Sequence, residues 1–186
     1  MTNLPVPEEA RALLRHWFVG LGREQWFTVD PAVDRELADR FGTLLDRADR
    51  GELDRWEATT DGALALVLVL DQLPRNLFRG TPRAFAFDER ARAVARRAIA
   101  RGDDQGRTAD ERLFLYLPFE HSEALADQDW AVALIEALGD PVYADYARRH
   151  REVVVRFGRF PHRNGVLGRT STPAEKAYLA APGAGF

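Results

Sequence analysis

Three observations of the sequence predict an all-α fold of seven to eight helices arranged as antiparallel hairpins. Apolar residues recur at helical spacing in segment after segment. Proline and acidic or hydroxyl caps open these segments, glycines close them, and short loops join them. The one stretch that reads equally well as a strand, Ala63 to Leu70, has no second strand to pair with, and a lone strand would leave its backbone groups unsatisfied.

Taken in order, Pro7-Glu8-Glu9 opens a first helix whose Leu13, Leu14, Trp17 and Phe18 form an apolar face before Gly20. Trp26 and Phe27 fall in a loop, and of the four tryptophans Trp26 alone is a candidate to line a pocket. Asp30-Pro31 caps a second helix carrying Val33, Leu37, Phe41, Leu44 and Leu45 to about Ala48. A third runs from near Leu53 to Leu73, with an offset at Thr59-Thr60-Asp61, and its all-apolar middle marks it as central and buried. Pro74 ends it among Asp71, Gln72, Arg75, Asn76 and Arg79. Thr81-Pro82 restarts a helix to Gly102, with Arg90, Arg92, Arg96, Arg97 and Arg101 as a solvated face. Thr108 and Glu111 have capping-box spacing for a helix running into Pro118. Glu120-His121-Ser122-Glu123 leads into a helix through Leu125, Trp130 and Ile135 to Gly139. Pro141 to about Phe157 is the last long helix, and Thr172-Pro173-Ala174-Glu175 caps a short terminal one before Pro182-Gly183-Ala184-Gly185-Phe186.

Length and composition narrow the classes. One domain over residues 1–186 is expected from a chain of 186 residues. The 46% hydrophobic and 30% charged fractions are those of a folded protein. The chain has no cysteine, which excludes disulfides, thiol catalysis and thiolate metal sites. Met1-Thr2-Asn3-Leu4-Pro5 followed by Glu8 and Glu9 lacks a signal-peptide pattern, so the cytoplasm is the expected location. The longest apolar run, Ala63 to Leu70, is far short of the roughly 20 residues that span a bilayer, so no membrane segment is expected. A net charge of -3 and a pI near 5.8 argue against general nucleic-acid binding.

The charge is unevenly placed. No acidic residue stands between Glu152 and Glu175, yet Arg156, Arg159, Arg163 and Arg169 do. Guanidinium groups match carboxylate or phosphate oxygens two at a time, so this segment calls for an anion, from a ligand or from an acidic helix of the same chain.

Several motifs together resemble the bacterial DUF924 family: Trp26-Phe27 with Asp34 and Phe41; Leu70-Asp71-Gln72-Leu73-Pro74-Arg75-Asn76 with Arg79-Gly80; Pro118 with Glu120-His121-Ser122-Glu123 and Gln128; and Arg156 through Asn164 with Leu167-Gly168-Arg169 and Ser171-Thr172. The resemblance covers nearly the whole chain. It implies an all-helical fold similar to a right-handed tetratricopeptide-like superhelix, and it brings no established activity.

Three of the four histidines, His121, His150 and His162, lie in or near the polar segments. Imidazole and carboxylate suit divalent metals, but no HExxH-like spacing is present, and buried hydrogen-bonded histidines are the favoured reading. Neither a metal nor any other cofactor is assigned. For acid–base chemistry the candidates are His121 and His162, with Glu120 or Asp71 orienting them. Gln72, Arg75, Asn76, Arg159, Arg163 and Asn164 would hold an anionic ligand beside Asp71 and Glu123. The leading expectation is therefore one pocket, formed by convergence of the three polar segments, for a small anionic molecule. Its alternative is a tetratricopeptide-like module gripping an acidic peptide or a C-terminal carboxylate. A third reading is structural, with Arg159 and Arg163 paired to Glu120, Glu123 or Asp71.

Overall fold

The computed structural model describes residues 5–182 and 185. The N-terminal pattern at Met1 to Leu4, and Gly183, Ala184 and Phe186 of the closing stretch, lie outside the described residues. The fold is all-α, with no strand among the described residues. The helices are α1 (Glu8–Arg15), α2 (Arg23–Trp26), α3 (Pro31–Asp49), α4 (Thr60–Val67), α5 (Leu73–Leu77), α6 (Asp88–Ala100), α7 (Ala109–Glu120), α8 (Leu125–Glu136), α9 (Pro141–Phe157) and α10 (Pro173–Leu179). None is long and apolar enough to cross a membrane. The chain divides into two compact units, Met1–Arg79 with Arg83–Pro118, and Gly80–Pro82 with Phe119–Phe186.

The helix starts follow the sequence signals closely. Asp30 Oδ1 accepts from the Ala32 amide at 2.8 Å, and Asp140 Oδ1 from the Val142 amide at 2.9 Å, each ahead of a proline whose missing N–H costs nothing at that position. Thr108 with Glu111, and Thr172 with Glu175, close reciprocal capping boxes. Gly158 ends α9 at φ 69, a left-handed conformation that a side chain disfavours.

In the first unit, α4 is buried at every residue from Gly62 to Val67 and packs against α1, α6 and the 3₁₀ turn Asp54–Ala58. Gly62 is required there: a Cβ would stand 2.1 Å from the carbonyl oxygen of Trp56. The expected single helix from Leu53 to Leu73 is instead this 3₁₀ turn, then α4, then a π-helical turn at Leu68–Gln72 leading into α5. Pro74 does not stop the chain's helical course. In the wider turn the Leu73 amide reaches back five residues to the Leu68 carbonyl, which relieves the crowding a proline ring imposes on the carbonyl four residues earlier. Pro118 likewise sits inside α7, which continues to Glu120.

Two further expectations change. Trp26 belongs to a short helix rather than a loop and is buried in an aromatic cluster: its ring lies 5.1 Å from Phe114, Trp17 lies 5.5 Å from Phe114, and the indole N–H donates to the Trp17 carbonyl at 2.8 Å. The arginines of α6 are also more than a solvated face. Arg90 bonds Asp54 and the Ala48 carbonyl, and Arg97 grips Glu57 through two bonds at 2.6 and 2.8 Å, tying the helix to the 3₁₀ turn. The break between the 3₁₀ turn Pro82–Phe85 and α6 delays that helix to Asp88.

In the second unit, α8 and α9 form a hairpin across a link of a few residues, and α10 packs on the 3₁₀ turn Pro161–Arg163. Its core includes Val153, Val154 and Phe160, with Phe157 and Tyr178 packed against them.

Candidate functional site

The polar segments divide between the units. Asp71, Gln72, Arg75 and Asn76 build a network inside the first. Glu120, His121, Glu123, Arg159, His162, Arg163 and Asn164 belong to the second.

In the first unit the π turn carries Asp71, fully buried, and Gln72, whose Nε2 donates to Asp71 Oδ2 at 2.5 Å. One turn on, Arg75 donates to the Asp71 carbonyl at 2.7 Å and forks onto Asp88, the first residue of α6, at 2.8 and 3.1 Å. Burial works against the Arg75 charge, but Asp71 and Asp88 outweigh it and hold the guanidinium above its ordinary range. Asn76 donates to Asp34 of α3 at 2.8 Å, and Arg79 forks onto the same carboxylate at 2.6 and 2.9 Å. Burial would raise Asp34, yet Arg79 and Asn76 keep it below its ordinary value. The four candidate ligand residues here are thus engaged with partners of their own unit. Asp88 was absent from the sequence candidates, because the helix was expected to begin at Thr81-Pro82 and only the observed start places Asp88 in a first turn; Asp34 entered only through the family resemblance. His16 also lies in this unit, buried, with Nδ1 facing Arg40 Nη1 at 2.7 Å.

In the second unit two arginines of the basic segment find internal carboxylates. Arg159 forks onto Glu175 of α10 at 2.6 and 2.9 Å and donates to the Thr170 carbonyl. Arg159, with the Thr172 amide, holds Glu175 far below the carboxylate range. Arg169 forks onto Glu123 at 2.7 and 2.9 Å, while the Phe160 amide donates to Glu123 at 2.8 Å. Burial opposes the Glu123 charge, but Arg169 and that amide prevail and lower its pKa. The expected pairing of Arg159 within the chain thus takes a carboxylate outside the set Glu120, Glu123 and Asp71.

Between these pairs lies a different arrangement, centred on the fully buried ring of Phe160. The Arg163 guanidinium stands over that ring at 4.6 Å from its centre, His150 meets it edge-on at 5.7 Å, and His162 lies at 5.5 Å. His121 comes within 6.4 Å of His150. His150 Nδ1 lies 2.9 Å from the Tyr146 carbonyl oxygen and 3.2 Å from Glu120 Oε1. A carbonyl only accepts, so Nδ1 carries the proton and Nε2 is the basic nitrogen. Burial pushes His150 well below the usual histidine value, with His121, His162 and Arg163 adding to it. His162 is lowered to about 4, by burial first and then by Arg163.

His150 was given less weight than His121 and His162 on sequence, yet it stands at the centre. The signal was its register: Tyr143, Ala147, His150 and Val154 share the buried stripe of α9. Asn164 is fully buried and donates to Ser171 Oγ at 3.0 Å, while its Oδ1 has no hydrogen bond among the described residues; the same holds for Arg169 Nε. Among the described residues no three His, Asp or Glu side chains are grouped so as to hold a metal ion.

An all-helical chain with an imidazole, arginine and carboxylate cluster is the class of protein these features define. Residues 13–183 match the family described as "Bacterial protein of unknown function (DUF924)", and the chain belongs to that family. It is similar to the solved structure of a protein of unknown function from Agrobacterium tumefaciens, with 46% identity and a TM-score of 0.88, over 92% of this chain and 96% of that one. No curated protein matches.

Proposed function

We propose that the second unit binds a small anionic ligand, with His121, His150, His162 and Arg163 as its cationic and hydrogen-bonding side and Glu120 orienting His150 for acid–base work. The observation that carries this reading is the gathering of two imidazoles, His150 and His162, and the Arg163 guanidinium about the single ring of Phe160, with His121 beside His150. Neutral imidazoles in water-poor surroundings donate or accept single hydrogen bonds, and a carboxylate beside one of them is the arrangement that orients a general base. The buried Asn164 Oδ1 and Arg169 Nε supply further polar atoms whose hydrogen bonds a ligand would complete. In this reading Arg159 and Arg169, paired to Glu175 and Glu123, frame the site, and Asp71, Gln72, Arg75 and Asn76 serve the architecture of the first unit.

The test is thermal unfolding of wild type, Arg163→Ala and His121→Ala in phosphate, sulfate and small carboxylates at constant ionic strength. A ligand at about 100 times its Kd stabilises the folded state by about 2.7 kcal/mol. The expected outcome is a Tm rise in wild type that is lost in both variants. Equal shifts in all three proteins would exclude the site. No shift with any anion, together with an Arg163→Ala protein that melts far lower, would make the arginine structural and favour the alternative, a module for an acidic peptide.

A further inference from the structure

We infer that anion binding at this cluster draws protons onto its histidines, making the second unit an anion receptor that tightens as the medium becomes acidic. The inference rests on the anion site proposed above and adds its regulation.

The geometry supplies the coupling. His162 stands on the 3₁₀ turn Pro161–Arg163, next to Arg163. The link between α7 and α8 brings His121 and Glu123 towards it, the loop after the turn brings Arg169, and α9 brings His150 to the same Phe160 ring. From α7, Glu120 faces His150 at 3.2 Å. The packed α10 contributes Glu175, held by Arg159, and Tyr178, against Phe157. Around His162, Arg163, His121 and Arg169 act against its protonation and Glu123 acts for it. His162, lowered to about 4, is therefore neutral near pH 7, and burial shifts His150 in the same direction.

An added dianion changes the sign of the local field. It sits against the same guanidinium that depresses the imidazoles, offsets it, and favours the imidazolium form of whichever ring it touches. Linkage then fixes the direction: a ligand that raises a pKa is bound more tightly when protons are plentiful, by up to about tenfold per pH unit for each proton taken up.

The experiment is calorimetric titration of the full chain with sulfate, which stays a dianion across the range, at pH 5, 6, 7 and 8 in buffer pairs of different ionisation enthalpy. Affinity is expected to rise steadily from pH 8 to pH 5, with net proton uptake at the lower values. His162→Gln should flatten that rise. If that variant is misfolded at pH 8 by circular dichroism, His121→Gln serves as the second variant and should reduce the uptake. Sulfate binding with the same affinity at every pH, or proton uptake unchanged in a folded variant, overturns the inference and leaves the anion site standing. No sulfate binding at any pH overturns both.

Discussion

The two units handle charge in different ways. The first ties its buried acids to permanent cations: Arg75 spans Asp71 and Asp88, and Arg79 with Asn76 holds Asp34. The second sets two imidazoles, His150 and His162, against the ring of Phe160, with His121 beside His150. Arginine is always charged, so the cations of the first network are permanent, whereas the imidazoles of the second can gain or lose a proton. Fixed pairs suit holding helices in register; titratable clusters suit responding to what arrives.

The sharpest way to break this contrast is Arg75→Ala. It would leave Asp71 and Asp88 without the guanidinium that holds them, and stability should fall by about 3–5 kcal/mol in chemical denaturation at pH 7. A loss below 1 kcal/mol would mean the pairing is incidental. Next comes Gly62→Ala, where the new methyl meets the Trp56 carbonyl; a cost of about 3 kcal/mol is expected, with Gly42→Ala, whose Cβ has only Leu77 at 3.6 Å nearby, as the mild control.

Acid should act mainly on the second unit. His162 has a folded pKa of about 4 against an ordinary value near 6.5, so between those values the unfolded chain binds a proton that the folded one refuses. Stability is therefore complete above about pH 6.5 and declines as pH falls to about 4, by about 3 kcal/mol from this group. His150 shifts the same way. Unfolding titrations of wild type and His162→Gln across that window should converge at low pH; parallel curves would remove His162 as the cause. The smallest effects, about 1 kcal/mol each, belong to Asp30→Ala and Asp140→Ala, matched Asp-Pro caps in opposite units. Hydrogen exchange should show lost protection confined to the first turns of α3 and α9 respectively.

Much of the fold could be read from local signals because these act within a few residues. Asp30, Thr108, Asp140 and Thr172 mark their helix starts by what the side chain can accept from the next amides. Prolines misled where a longer-range accommodation intervened: nothing local announces that a π turn will carry the chain past Pro74, or that α7 will tolerate Pro118. The candidate site was legible in its residue types and less so in its partners. Arg159 required an anion, and the sequence could not choose among carboxylates; Glu175, sixteen residues on, is also the capping-box acid of α10 and so does two jobs at once. His150 was hidden by its setting, since a histidine on an apolar stripe reads first as core.

The π turn before Pro74 has a consequence for rotational phase. Each residue advances an α-helix by roughly 100°, so the additional residue held within Leu68–Gln72 turns everything after it relative to α4. Deleting a single residue there would let an unbroken α-helix form, at the cost of swinging Asn76 and Arg79 away from Asp34 on α3 while the hydrophobic composition stayed almost unchanged. The chain's tolerance for insertions and deletions is therefore lowest at a place where its sequence is most uniformly apolar.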